Sequence, residues 1–308
     1  MVNIKKIGML FAVISAVCWG AYGSFSTLLL EGGLTNAALV ALAPLSLVLY
    51  FGFRVLTAKP KVLKNIRWQY YVGMALQGFI IVNAMNYCYT AAYSAGMPVG
   101  IVSTVAFINV LIIMLESYWL FKYKFTGPKI ISMLFALLGV ALVLDVFGGL
   151  QGGVTPKGIF WTLLIPLFFG TNVTLNTFFI VKKVDSDAIL FITQGFALIF
   201  MFLFQINPLA LLQDITILLA QGSAGVIPLL GFCLIPEIIC FAAMQECLKR
   251  IEPSIMGIVY ALDPVTSLLL GLIIFGQGFG FLQIIGILCV LLAVAYINYA
   301  EAKEIGNA

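Results

Sequence analysis

The chain has 308 residues, 63% of them hydrophobic and only 9% charged, with a formal net charge of +4. A typical soluble domain carries roughly 25% charged residues, so a surface built for water is excluded over most of the length. Histidine is absent, which removes every proton relay or metal chemistry that needs imidazole.

Lys5 and Lys6 precede an apolar run over 7–30, too long for a signal-peptide core and followed by further runs of the same kind. Val17 precedes Cys18 where a lipoprotein cleavage site would want a small residue, which speaks against lipidation. Gly, Pro and charge then punctuate the chain into apolar segments at 7–30, 36–56, 69–93, 98–121, 128–147, 158–181, 187–206, 222–247, 253–275 and 280–300. A helix needs about 20 residues to cross ~30 Å of hydrocarbon. Barrel strands would be alternating segments of about ten residues, and these runs are longer and continuous. The expectation is an all-α membrane protein with ten transmembrane helices. Its connections are short, the longest at 57–68 and 207–221, so function must lie among the helices.

Cys18, Cys88, Cys233, Cys240, Cys247 and Cys289 all fall inside apolar runs without a CxxC pair. They read as packing thiols, with no metal or cofactor site expected. The basic residues flank the membrane segments and carry no nucleic-acid signal. With the N-terminus inside, fifteen of the 16 Lys and Arg fall on the cytoplasmic side, and Lys157 alone on the other. The positive-inside rule therefore places both termini in the cytoplasm, in a multi-pass protein of the cytoplasmic (inner) membrane.

The chain repeats itself. Ala16–Ala21, with Trp19-Gly20, is echoed by 167–172, with Phe169-Gly170. Phe107-Ile108-Asn109-Val110, a basic turn and Ser132 through Val140 are echoed by Leu262-Asp263-Pro264-Val265, a glycine turn and Gly286 through Val294. Two repeats, 1–150 and 151–308, each hold five spans, and an odd number forces opposite insertion. Inverted repeats place the site near the midplane in many secondary transporters.

These landmarks resemble the EamA-type branch of the drug/metabolite transporter superfamily along the whole chain. The matching residues are Trp19-Gly20, Phe169-Gly170, Pro264-Val265 and Ile274-Phe275-Gly276, followed by Gln277. The first repeat departs from the pattern with Asn109-Val110 in place of proline, and with Lys122 or Lys124 near the usual glutamate. The resemblance implies a carrier of small metabolites. Its cavity would be lined by the first, third, fourth, sixth, eighth and ninth spans, with the fifth and tenth peripheral.

Ionisable groups inside a membrane are costly and mark function by default. Glu116, Asp145, Glu237, Glu246 and Asp263 lie in or at the ends of the spans. Asp145 and Glu246 fall near ends, where solvation suffices, and Glu116 can pair with Lys122 or the headgroup region. Glu237 and Asp263 fall near mid-membrane beside Pro236 and Pro264, whose missing N–H frees carbonyls. They read as a cation or proton-coupling site, the alternative being a protonated carboxyl that merely bridges helices. A polar stripe of Asn83, Asn86, Tyr87 and Thr90, with Asn172 and Asn176, should face the interior, as substrate contacts or as amide links between helices. Trp19, Tyr22, Tyr87 and Tyr260 could form an aromatic wall for an organic cation, or could simply pack. Gly20, Gly23, Gly170 and Gly257 suit close helix approach.

The expected function is secondary active transport of a small solute by alternating access, cationic or zwitterionic, such as an amino acid or amine, and open to proton coupling. A polytopic receptor or assembly subunit without transport is the alternative. No ring of selectivity residues points to a channel, and no nucleotide loop or catalytic constellation points to an enzyme. Partners are the solute and membrane lipid, in a monomer or homodimer.

Overall fold

The computed structural model describes residues 2–95, 102, 105–143, 155–276 and 280–306, and they are almost entirely helical. Helix α1 (Val2–Gly20) breaks at Ala21 and resumes as α2 (Tyr22–Glu31). It is followed by α3 (Asn36–Ala58), the short α4 (Pro60–Lys64) and α5 (Trp68–Leu76). A π-helical segment, Gln77–Val82, joins α5 to α6 (Asn83–Ser94), after which come α7 (Asn109–Phe121) and α8 (Gly127–Val143). The second half holds α9 (Pro156–Val181), α10 (Ser186–Phe204), α11 (Pro208–Ala220) and α12 (Ser223–Phe232). A second π segment, Cys233–Ile239, leads to α13 (Cys240–Leu248), α14 (Pro253–Val259), α15 (Leu262–Phe275) and α16 (Phe281–Gly306).

Six stretches are long and apolar enough to cross a membrane: Ile4–Glu31, Asn36–Ala58, Pro156–Val181, Ser186–Phe204, Ser223–Leu248 and Pro253–Ile274. Asn109–Phe121, Gly127–Leu142, Pro208–Ala220 and Ile284–Ile297 are shorter apolar helices. The protein is thus a multi-pass membrane protein. The connection expected at 207–221 is helical instead. Asn207 caps α11 by accepting the Leu209 N–H at 2.9 Å, and Pro208 occupies the first helical position, where a missing N–H costs nothing. At ~1.5 Å per residue, these 13 residues cannot span. They pack against α12 and α3.

Capping side chains set the other starts. Thr35 accepts from Ala38 N, Thr155 from Gly158 N, and Asp185 from Asp187 N and Ala188 N. Left-handed residues end helices at matching places in the two halves. Gly33 and Lys183 follow α2 and α9, and Lys122 and Gly276 follow α7 and α15.

The halves interleave. Helix α1 packs on α13, α15 and the second π segment, while α9 packs on α6, α7 and the first π segment. Helices α3 and α10 pair, and α8 and α16 pair most extensively of all. Close approach needs glycine at few points. A Cβ on Gly20 would lie 2.7 Å from the Asp263 carbonyl oxygen, and one on Gly78 would lie 1.9 Å from that of Thr193. Gly170 and Gly257 face Ile112 and Val110 closely, but Gly23, expected to do the same, meets nothing within 4 Å.

Candidate functional site

Besides the break at Ala21, four irregularities interrupt the helices among the described residues, and they form two matching pairs. The first pair is the π segments Gln77–Val82 and Cys233–Ile239. The second is the breaks just before Asn109 and at Tyr260-Ala261. In the second half, proline accounts for both. Pro236 removes a backbone N–H inside the π segment, and the ring of Pro264 excludes the helical position of the Tyr260 carbonyl. In the first half side-chain amides do the work. Asn83 Nδ2 donates to Gly78 O at 2.9 Å and Phe79 O at 3.3 Å, and Asn109 Nδ2 donates to Ala106 O at 2.7 Å. Asn83 and Glu237 are separated by 154 residues, and so are Asn109 and Asp263. Asn83 directly follows the first π segment and Glu237 lies inside the second, while Asn109 opens α7 and Asp263 lies in the first turn of α15.

Glu237 is 1% exposed, with no hydrogen-bond or ion-pair partner among the described residues. Asp263 is partly buried in the first turn of α15, where the positive end of the helix dipole favours a carboxylate. It lies 3.3 Å from Ser267 Oγ, a hydroxyl that donates to Gly20 O at 2.8 Å. Both acids lie on elements that pack against α1.

A chain of amides lies between the halves. Gln77 Nε2 donates to Asn172 Oδ1 at 2.8 Å, Asn176 Nδ2 to Asn172 O at 2.9 Å, and Gln245 Nε2 to Asn176 Oδ1 at 3.2 Å. Gln77 and Gln245 are polar residues that sequence reasoning missed. Each is an amide buried within an apolar run, and the cost of burying it was the available signal. Asn83 also donates to Ala197 O at 3.3 Å, so it links α6 to α10. Gln77 Oε1, Asn83 Oδ1, Asn109 Oδ1, Glu116 Oε2 and Gln245 Oε1 are buried without a donor among the described residues. Interior polar surface here is rich in unmatched acceptors.

Trp19 stacks on Tyr22 at 5.1 Å and meets Phe169 and Phe241 edge-on at 6.0 and 5.8 Å. Phe169 connects this cluster to Tyr260 at 6.5 Å. The Tyr260 hydroxyl is taken by Ser15 Oγ at 2.5 Å. Tyr87 does not join. It is 51% exposed, its ring packing on Trp161 at 5.2 Å, because Met85, Cys88 and Ala92 form the buried face of α6. Asn86 on the same helix is partly buried. The side chain of Thr90 lies outside the described residues, as do Asp145 and Gln277.

Glu116 pairs with neither Lys122 nor the helix end. Its Oε1 accepts from Thr171 Oγ1 at 2.7 Å, across α7 and α9. Glu246 pairs with Lys249 at 2.6 Å and Arg250 at 2.5 Å. Lys59 reaches Asp185 at 3.0 Å and Asp187 at 2.9 Å, Arg54 reaches Asp187 at 3.1 Å, and Lys129 pairs with Glu252. Partial burial works against the charge on Asp185, yet Lys59 and the capped N–H groups hold its carboxyl below the usual range. Lys59 is raised despite burial, through the same two carboxylates. The Arg54, Lys59 and Lys129 pairs tie the first half to the second.

The profile of the EamA-like transporter family matches residues 6–145 and again 156–299. The chain belongs to the EamA-like transporter family. An uncharacterised transporter of Bacillus subtilis (strain 168), YetK, is 26% identical over 226 residues, 71% of this chain and 65% of its own length. A crystallised protein superposes with a TM-score of 0.74 at 17% identity, covering 97% of this chain and 98% of its own. That likeness concerns the fold alone.

Proposed function

We propose that this EamA-like protein is a secondary transporter that moves a cationic or zwitterionic solute, such as an amino acid or amine, by alternating access. The observation that carries the reading is the placement of Glu237 and Asp263 at the second half's helix breaks, whose counterparts in the first half carry Asn83 and Asn109. Broken helices at matching places in two repeats are the usual setting of transporter sites. The unmatched carboxamide and carboxylate oxygens favour a solute rich in N–H donors. The Trp19–Tyr22 stack adds an aromatic face suited to a cation. The helix starting at Asn109 has no charged cap of its own, so its positive end suits the carboxylate of a zwitterion.

Glu237 and Asp263 would take the coupling proton or the cation. Trp19, Tyr22, Asn109, Asn172, Asn176 and Tyr260, with Gln77 and Gln245 added by the geometry, would shape the solute site. Asn83 supports the break, and Asn86 and Tyr87 stand at the edge. Ten spans complete the reading. The six long apolar stretches are joined by 68–94, 105–121, α8 and α16, with α11 lying along the interface. The positive-inside rule then puts both termini in the cytoplasm, in the cytoplasmic membrane.

The test is a cysteine at position 172 in a background lacking the six native cysteines, probed with membrane-impermeant thiol reagents from each side. Labelling from both sides, shifted between them by a transported amine or amino acid, supports alternating access. A site labelled from neither side, in protein that takes up no radiolabelled amine or amino acid, overturns it.

A further inference from the structure

A cavity lies well away from the paired acids, where α5 begins and α9 ends. It measures about 500 Å³ and is lined by Val62, Asn65, Ile66, Arg67, Tyr70, Lys182, Lys183, Val184 and Asp185. Arg67, Lys182 and Lys183 have no carboxylate within ion-pair distance among the described residues. Lys182 instead lies over the Phe178 ring at 5.4 Å. Asp185, the one acid of the lining, is already engaged by Lys59 at 3.0 Å and by the backbone N–H groups of Asp187 and Ala188. Three cations therefore line one cavity whose single acid is already engaged by Lys59.

The position of the cavity narrows the ligand. It lies between the ends of apolar helices, and the neighbouring Trp68 is 72% exposed, as tryptophans at the headgroup level are. Tyr70 packs its ring on Phe178 and Phe179, so the inner wall is aromatic and the mouth basic. Lys and Arg clusters between helices at a membrane surface suit anionic headgroups, and Arg presents a planar fork to phosphate oxygens.

We propose that this cavity binds a phosphate group, supplied by the headgroup of an anionic phospholipid. Arg67 and Lys183 hold the phosphate oxygens, Lys182 adds charge at the rim, and Asn65 and the Tyr70 hydroxyl are the neutral donors. Such a lipid would bridge the α4–α5 connection of the first half and the α9–α10 turn of the second.

The proposal is tested on full-length protein, delipidated and then given phosphatidylglycerol, phosphatidylcholine, glycerophosphoglycerol or inorganic phosphate. Native mass spectrometry reads retained lipid, and thermal unfolding reads stabilisation. Phosphatidylglycerol should be retained over phosphatidylcholine, with affinity roughly tenfold or more lower in R67Q/K182Q/K183N. The control K61Q/K64Q/K122N, which removes as much charge outside the cavity, should retain it. Acetylation of Lys182 and Lys183 in the wild type should slow when phosphatidylglycerol is added, which needs no variant to fold. Equal loss in the two variants, or unprotected lysines, overturns the proposal. Inorganic phosphate or glycerophosphoglycerol protecting as well as the lipid overturns the lipid as the source.

Discussion

The two halves make the same breaks with different chemistry. At 77–82 and just before residue 109 the first half uses the amides of Asn83 and Asn109 to satisfy freed carbonyls. The second half breaks its helices at Pro236 and Pro264 and is left with Glu237 and Asp263 at the corresponding places. An amide that serves its own backbone holds a break shut to charge. A proline also frees a carbonyl, but the side chains beside the second half's prolines are the carboxyls of Glu237 and Asp263, which cannot donate to a carbonyl when ionised. The comparison teaches that a duplicated fold can keep its mechanical irregularities while only the second copy carries ionisable groups at them.

The comparison breaks most visibly if the acids are dispensable. Glu237→Gln with Asp263→Asn should lower uptake of radiolabelled amine or amino acid roughly 100-fold, since an interaction with a desolvated charge is lost. Asn109→Gln should cost far less. Next in size is close packing at the first π segment. Gly78→Ala places a Cβ 1.9 Å from Thr193 O and should destabilise by about 3 kcal/mol, read as a fall in the thermal unfolding midpoint. Gly23→Ala, with open space around it, should leave the midpoint unchanged. Removing an amide is expected to be milder. Asn109→Leu orphans the Ala106 carbonyl and should cost about 1–2 kcal/mol, read in the same thermal unfolding midpoint.

The smallest effect concerns the charged tie. Asp185 is depressed, so its contribution is complete above the ordinary carboxylate range of about 4 and is lost as pH falls through its lower folded value. Lys59 is raised, so its contribution is complete below the ordinary lysine range of about 10 and is lost above its higher folded value. Stability from this tie should be flat between those limits and fall outside them. Asp185→Asn should flatten the acid limb of the unfolding midpoint against pH. An unchanged acid limb would assign the sensitivity to other carboxylates.

Much of this was legible in the sequence because a membrane punishes exceptions. Glu237 and Asp263 stand out in apolar runs, and the prolines beside them signal broken helices. The breaks of the first half were hidden, since Asn83 and Asn109 look like any buried amide until their bonds to Gly78, Phe79 and Ala106 are seen. Gln77 and Gln245 escaped because neither lies in the polar stripe or beside a proline, and their role emerges only from contacts with Asn172 and Asn176. Tyr87 failed as an inward residue because spacing defines a stripe but not its edge, and the neighbours Met85 and Cys88 decide which side is buried. Helix α11 was read as a loop because its 13 residues are too few to span, though apolar enough to lie against α12.

The most direct test of the division between the halves is uptake into proteoliposomes under an imposed pH gradient, using radiolabelled amines and amino acids. The account predicts gradient-driven accumulation by the wild type and by Asn109→Gln, and none by the Glu237→Gln/Asp263→Asn variant. Accumulation by that double variant equal to the wild type, or its loss in Asn109→Gln to the same degree, would contradict the account.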